Sequence, residues 1–245
     1  MRLNSADQIG RVLMISGVWE PNVTAAFRRS LHSGDVCLDI GAHIGYFTLL
    51  AARLVGPQGR VYAFEPWPSN YGALRENLAR NGVGNVTALP TAVGDVTERA
   101  LLHAAPGTNT GRATLRGTQP NRAPITQEGV IVDVQPATTR IPEHEWPRIR
   151  AIKIDVEGYE VEVLRSLAPV FALGGPLSVF VEFNPGWSDD ADAASQLEEI
   201  CRSNGFTLQR LSAGYALETM FPAHLDAPVR IDEVPPHECD LLLTR

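Results

Sequence analysis

The strongest constraint on this chain is a pattern that occurs twice in about fifty residues: a short apolar strand followed by a helix, joined the first time by an acid and a glycine turn. Asp35–Ile40 (DVCLDI) reads as a buried parallel strand. Ile44–Leu54 reads as an apolar helix closed by Gly56–Pro57. Arg60–Phe64 (RVYAF) is a second strand. Pro68 opens a second helix with Tyr71, Leu74 and Leu78 on one face and Asn81–Gly82 as its stop. Asn85–Leu89 is a third strand. Parallel strands need crossovers, and right-handed crossovers wind helices onto both faces, so the fold class is α/β with a doubly wound sheet.

The flanking segments fit around that core. Val23, Phe27 and Leu31 form one helical stripe, and residues 1–33 are expected to be an N-terminal helical cap. Residues 99–135 are rich in Gly, Pro, Thr and Asn and too long for a plain connection. Such insertions either line a site or hang as solvated hairpins. Here the expectation is that residues 99–135 and the cap shape an acceptor pocket. Ala151–Ile154 is a fourth strand, Tyr159–Phe171 a helix with Val163, Leu164 and Leu167 inward, and Leu177–Phe183 a fifth strand. Ser188 or Asp189 is expected to cap a helix that buries Leu197, Ile200 and Cys201 and stops at Gly205. Phe206–Leu211 and Asp240–Thr244 read as closing strands, with Pro222 to Pro236 a surface excursion. There are no repeats and no linker, so residues 1–245 are expected to form one domain.

Composition narrows the function. Hydrophobic residues make up 44% of 245, enough for a real core. Net charge is −7 with no basic block, which argues against nucleic acid as a partner. The first seven residues carry no apolar leader core, and no apolar run is long enough to span a bilayer. Cys37, Cys201 and Cys239 are scattered and odd in number. The expectation is a cytoplasmic protein without a membrane partner, for which a homodimer is compatible.

The first candidate site is Asp39-Ile-Gly-Ala-His-Ile-Gly45, between a strand and a helix. Glycines there let a ligand approach the backbone, and N–H groups at the helix start would face it. The dinucleotide pattern G-x-G-x-x-G is not met: His43 stands where the middle Gly belongs, which opposes a dehydrogenase. Asp39 would repel a pyrophosphate and attract the ammonium and sulfonium of S-adenosylmethionine. Glu65 ends the second strand, where an acid accepts both ribose hydroxyls in nucleoside-binding sheets. Pro66 offers adenine a flat apolar face. Taken singly, Asp39 could be a helix-dipole partner and Glu65 a solvated strand end.

The second candidate site is Lys153-Ile-Asp-Val-Glu-Gly158 at the end of the fourth strand, with Glu182 and Asn184 at the end of the fifth. If strands one, four and five are neighbours, Asp39, Asp155 and Glu182 crowd one crevice, which raises at least one carboxyl pKa or recruits a cation. A hydroxyl acceptor needs a base. Asp155, Glu157, Glu182 and His43 are the candidates, with Asp155 and Glu157 first. Mg²⁺ on Asp155, Glu182 and Asn184 is compatible with hard oxygen ligands, but no tight ligand motif is present and no metal is expected. Lys153 is the one Lys among 21 basic residues, which suggests a place where only a compact ammonium fits.

These residues resemble the FkbM family of S-adenosylmethionine-dependent methyltransferases. The resemblance covers roughly residues 16–212. It rests on Gly17–Val18–Trp19–Glu20–Pro21, the Asp39–Phe47 and Phe64–Tyr71 segments with Leu74, Asn77 and Asn81, Ala92–Val93–Gly94–Asp95, Asn109–Thr110–Gly111, and Ile152-Lys-Ile-Asp-Val-Glu-Gly-Tyr-Glu160 with Val163–Leu164. It implies a class I methyltransferase fold, Rossmann-like, with seven strands and the last antiparallel. It implies that Gly41, with Ala42, His43 and Gly45, meets the methionine part of the cofactor, Glu65 the ribose and Ala92–Val93 the adenine. Members are commonly O-methyltransferases acting on sugars, natural products or surface glycans, so a small-molecule or glycan acceptor is expected. N-methylation of an amine or peptide is the alternative. Pro136–Ala137–Thr138–Thr139 departs from the Leu-Asp pair usual before the lysine motif.

Overall fold

A computed structural model describes residues 1–5, 8–104, 113–115, 129–188, 191–212 and 224–245. Along the chain, α1 (Gln8–Ser16) and α2 (Pro21–Arg29) precede β1 (Val36–Ile40), α3 (Tyr46–Val55), β2 (Arg60–Phe64), α4 (Pro68–Arg80) and β3 (Val86–Leu89). Three strands follow: β4 (Ala92–Val93), β5 (Glu98–His103) and β6 (Gly129–Gln135). The order then resumes with β7 (Ile149–Ile154), α5 (Glu160–Ser166), α6 (Ala168–Phe171), β8 (Ser178–Phe183), α7 (Ala193–Ser203), β9 (Thr207–Leu211), β10 (Val229–Arg230) and β11 (Cys239–Thr244).

The main sheet runs β10-β9-β11-β8-β7-β1-β2-β3. Strands β3, β2, β1, β7 and β8 are parallel, and β11 is antiparallel to both β8 and β9. The expected seven strands are present with an eighth, since two residues of β10 extend the edge beside β9 inside the segment read as a surface excursion.

Strand alternation divides the core. Val36, Leu38 and Ile40 of β1, Ile152 and Ile154 of β7, Val179 and Val181 of β8, and Leu241 and Leu243 of β11 pack on the side of α5 and α7. Cys37, Ala151, Phe180 and Leu242 face the other side, with Phe27 of α2 and Phe47 of α3. Phe27 meets Phe47 and Phe180 edge-on at 5.2 and 5.4 Å, which locks the N-terminal cap to the sheet. The same alternation sends Asp39, Lys153, Glu182 and Asp240 to this second side, and the register sets Asp39 beside Lys153 and Glu182 beside Asp240.

Three local expectations are corrected. The helix expected over Tyr159–Phe171 breaks at Leu167, because Pro169 has no N–H to continue the ladder and instead sits in the first turn of α6. The cap of α7 is Asp192 rather than Ser188, and Asp189 lies outside the described residues. Leu31 is buried but lies beyond α2, which ends at Arg29. The described part of the insertion supplies β5 and β6, which join β4 in a three-stranded sheet, β4-β6-β5, that buries Ala92, Leu102, Val132 and Val134. Residues 105–112 and 116–128, including Asn109–Thr110–Gly111, lie outside the described residues. No helix among the described residues is long and apolar enough to cross a membrane.

Candidate active site

A cleft opens where the carboxyl ends of β1, β2, β7 and β8 meet. Gly41, His43, Glu65, Pro66, Asp155 and Glu157 line it, with Ala92 and Val93 of β4. Trp19, Glu20 and Glu182 line the wall as well, and Leu102, Ala113 and Leu115 of the insertion cover it. Described residues of the cap and of the insertion thus both line the cleft.

The glycine turn is shaped by its neighbours. Gly41 has φ +85°, and a Cβ there would lie 1.9 Å from the Asp155 carbonyl oxygen, so only Gly lets the β1 turn pass the end of β7. Gly45 stands outside the cleft wall; its φ is +93° and a Cβ would strike Leu74 at 2.6 Å. Its role is to start α3 against α4. The N–H groups expected to greet a ligand are already engaged. Gly41 and Ala42 both donate to the Phe64 carbonyl at 2.9 Å, Gly45 donates to Ala42 at 2.8 Å, and His43 donates to Glu65 Oε2 at 2.7 Å. A turn with those donors spent is a poor diphosphate cradle.

Glu65 is 5% exposed. Its Oε2 accepts from His43, and its Oε1 accepts from the Trp67 N–H at 2.9 Å. Burial pushes its carboxyl up to about 7 against those hydrogen bonds. The Asn70 side chain hydrogen-bonds it as well, so of a carboxylate's roughly four lone-pair positions about one remains for an incoming hydroxyl. Asp39 lies deeper, 2% exposed beneath the turn, where Thr48 Oγ1 donates to its Oδ2. Burial raises it to about 6, with Thr48 and Lys153 pulling the other way. It lines a smaller cavity with Ala42, Lys153 and Asp155, and Asp155 also borders the main cleft. The crowding of Asp39, Asp155 and Glu182 therefore runs through Asp155.

Lys153 is 1% exposed, with Nζ 3.3 Å from Asp155 Oδ2 and 5.4 Å from the centre of the Phe47 ring. Burial alone would strip its proton, but Asp155, Glu20, Glu182 and Asp240 outweigh that and hold its pKa above the ordinary lysine value. Burial and the charges of Asp155, Glu20 and Asp240 push the Glu182 carboxyl well up, with Lys153 pulling the other way. Asn184 is turned away: its Nδ2 donates to Glu238 at 2.9 Å and its Oδ1 accepts from Gly186 N at 3.2 Å. The oxygen set drawn from sequence for a metal, Asp155 with Glu182 and Asn184, is therefore not assembled as such. Carboxylate oxygens of Glu20, Glu182 and Asp240 instead lie within 4.8 Å of one another.

Sequence reasoning put neither Glu20 nor Asp240 in the site. Glu20 caps α2 in the left-handed region, φ 45° and ψ 72°, just before Pro21. Such a backbone in a non-Gly residue costs about 1–3 kcal/mol and is kept where surroundings enforce it. Here Thr24 enforces it: its N–H donates to Glu20 O at 2.8 Å and its Oγ1 to Trp19 O at 2.6 Å. The one signal was an acid wedged between Trp19 and Pro21 at the mouth of a helix. His144 sits exposed on a 3₁₀ turn, as a surface position should.

The Methyltransferase FkbM domain matches residues 39–208 of this chain. The hexuronic acid methyltransferase AglP of Haloferax volcanii is 27% identical over 210 residues, 84% of this chain and 78% of that protein. The 31-O-demethyl-FK506 methyltransferase FkbM of Streptomyces tacrolimicus is 33% identical over 156 residues, 55% of this chain and 60% of that protein. Among solved structures, methyltransferase FkbM from Methylobacillus flagellatus superimposes with TM-score 0.54 at 15% identity, covering 99% of this chain and 48% of that one. SMU.1697c, a putative methyltransferase from Streptococcus mutans in complex with SAH, superimposes with TM-score 0.50 at 14% identity, covering 93% and 98%. The fold is that of the class I methyltransferases.

Proposed function

The chain belongs to the FkbM methyltransferase family, and we propose that it transfers a methyl group from S-adenosylmethionine to a hydroxyl of a small metabolite or glycoside. It is an S-adenosylmethionine-dependent methyltransferase by family and fold. The observation that carries the cofactor reading is the glycine turn: its N–H groups are spent and two buried acids flank it, which suits a cationic nucleoside and not a diphosphate.

In this reading Glu65 accepts a ribose hydroxyl, while Pro66 and the Ala92–Val93 edge hold the adenine. Gly41, Ala42 and His43 pass close to the methionine part. Asp39 acts through its field rather than by contact, since Thr48 covers it. Asp155 lines the cleft, held by Lys153, and Glu157 beside it keeps its place because Thr114 Oγ1 of the insertion donates to its carbonyl at 2.7 Å. The acceptor then enters between cap and insertion. The hydroxyl oxygen attacks the methyl carbon in line with the departing sulfur, so positioning supplies much of the rate.

An amine acceptor is the second reading, favoured by one observation: four carboxyl groups, Glu20, Asp155, Glu182 and Asp240, surround a single ammonium. The test is methyl-labelled cofactor offered with hexosides, hexuronosides and matched amino sugars. Label on oxygen supports the first reading. Label confined to nitrogen replaces it with the second.

A further inference from the structure

We propose that Glu20 is the group that takes the proton from the acceptor hydroxyl as the methyl group is transferred. This rests on the O-methylation reading.

The acids of the cleft wall differ in what they have left to give. Both oxygens of Glu65 accept backbone N–H groups. Asp155 Oδ2 faces Lys153. Glu182 lies across the strand pair from Asp240, and burial with the neighbouring acids raises its carboxyl well above the ordinary value. Glu157 sits in the loop that Thr114 ties to the insertion. Glu20 is the exception. Glu20 lines the cleft and takes a hydrogen bond from the Trp19 side chain, but its Oε2 is buried and meets no donor among the described residues. A buried acceptor oxygen without a donor is costly unless something else supplies one. An acceptor hydroxyl lying in the cleft does so.

The left-handed backbone and the two Thr24 hydrogen bonds fix the main chain at Glu20, and its carboxyl lies beside the charges of β7, β8 and β11. From β7 it faces Lys153 and Asp155, from β8 Glu182, and from β11 Asp240. Burial lifts its carboxyl to about 8; Lys153 lowers it, and Asp240 and Asp155 raise it. A base poised near the working pH is the efficient case. In the step itself, the hydroxyl O–H bond breaks and its proton bonds to Glu20 Oε2. The oxygen's electron pair forms the new C–O bond, and the C–S bond breaks with its pair passing to sulfur, which becomes a neutral thioether.

The test compares Glu20→Gln, Glu20→Asp and the exposed control Glu199→Gln on whichever hexoside or hexuronoside the labelled-cofactor panel methylates. Glu20→Gln is expected to lower kcat by about 10²–10⁴-fold while the KM for cofactor stays within about threefold. The wild-type rise of kcat/KM with pH toward a plateau above about 8 should vanish with it. Glu20→Asp keeps a carboxylate, so it should restore part of the rate and the pH rise, and it stands in if the Gln variant does not fold. Full activity or an unchanged pH profile in Glu20→Gln overturns the proposal. So does loss of wild-type activity in EDTA with recovery in Mg²⁺, because Glu20 would then be a metal ligand beside Glu182 and Asp240. A wild-type chain that binds cofactor but methylates no hydroxyl overturns the O-methylation reading itself.

Discussion

Gly41 and Lys153 show how single residues hold this site together. Gly41 is confined by φ +85° and by the Asp155 carbonyl, so Gly41→Ala should cost more than about 3 kcal/mol and yield little folded protein. Gly72, on the exposed side of α4 with open space around it, is the contrast. Gly72→Ala should raise Tm, by up to about 1 kcal/mol of stability. Thermal melts of both variants check the pair. Lys153 is buried among Asp155, Phe47 and the carboxyl row, where the wider, planar guanidinium of Arg would have to fit in place of a compact ammonium. Lys153→Arg should lower activity at least tenfold and stability by about 3–5 kcal/mol, the scale of a broken buried pair. The exposed swap Arg202→Lys should change neither. At this scale the sequence was informative where cleft-lining residues share a short segment, as with Gly41 and His43 or the run from Asp155 to Glu157. Glu20 escaped because its importance comes from a backbone corner and from charges on three strands more than a hundred residues away.

Elements explain why that corner stays put. α2 is fixed at its start by Asn22, which donates to Ser212 O at 2.7 Å and accepts from Asp226 N at 2.9 Å. Asn22 is 3% exposed, so Asn22→Ala removes two buried partnerships and should cost about 2–3 kcal/mol. If α2 positions Glu20, the variant should lose kcat while cofactor affinity holds, which steady-state kinetics and calorimetry separate. Helices and parallel strands were legible because their periodicity is local: β2 falls on Arg60–Phe64 and α4 runs from Pro68, as the residues imply. The small sheet was not, because pairing β4 with β6 joins residues about forty apart in sequence, and no short-range pattern records that. The break at Leu167 follows from Pro169, which was visible and outvoted by the apolar stripe.

Across the whole molecule, buried carboxyls set the response to pH. Burial raises Glu20, Asp39, Glu65, Glu160, Glu182 and Asp240, whereas Glu76 is lowered by Arg2 and Arg80. A carboxyl with a raised folded-state pKa binds its proton more tightly folded than unfolded. Between the unfolded value and the folded one the native state therefore holds more protons, and stability falls as pH rises. The cofactor-free chain should melt highest near pH 5 and lose about 5 °C or more by pH 8, given about 2–4 °C per kcal/mol at this size. A melt series across that range checks it; a Tm that rises with pH contradicts it. The eight-stranded order was legible in its parallel half, but the closing strands had to be seen, because nothing in Asp240–Thr244 shows that it slides between β8 and β9.

Methyl transfer in this cleft depends on a nucleoside sitting against Glu65. Calorimetry of the demethylated cofactor with the wild-type chain and Glu65→Ala measures that directly. The expected result is one saturable site per wild-type chain, weakened at least tenfold in the variant while its melting curve stays cooperative. Equal affinity in the two proteins, or no saturable binding to a folded wild-type chain, would contradict the account.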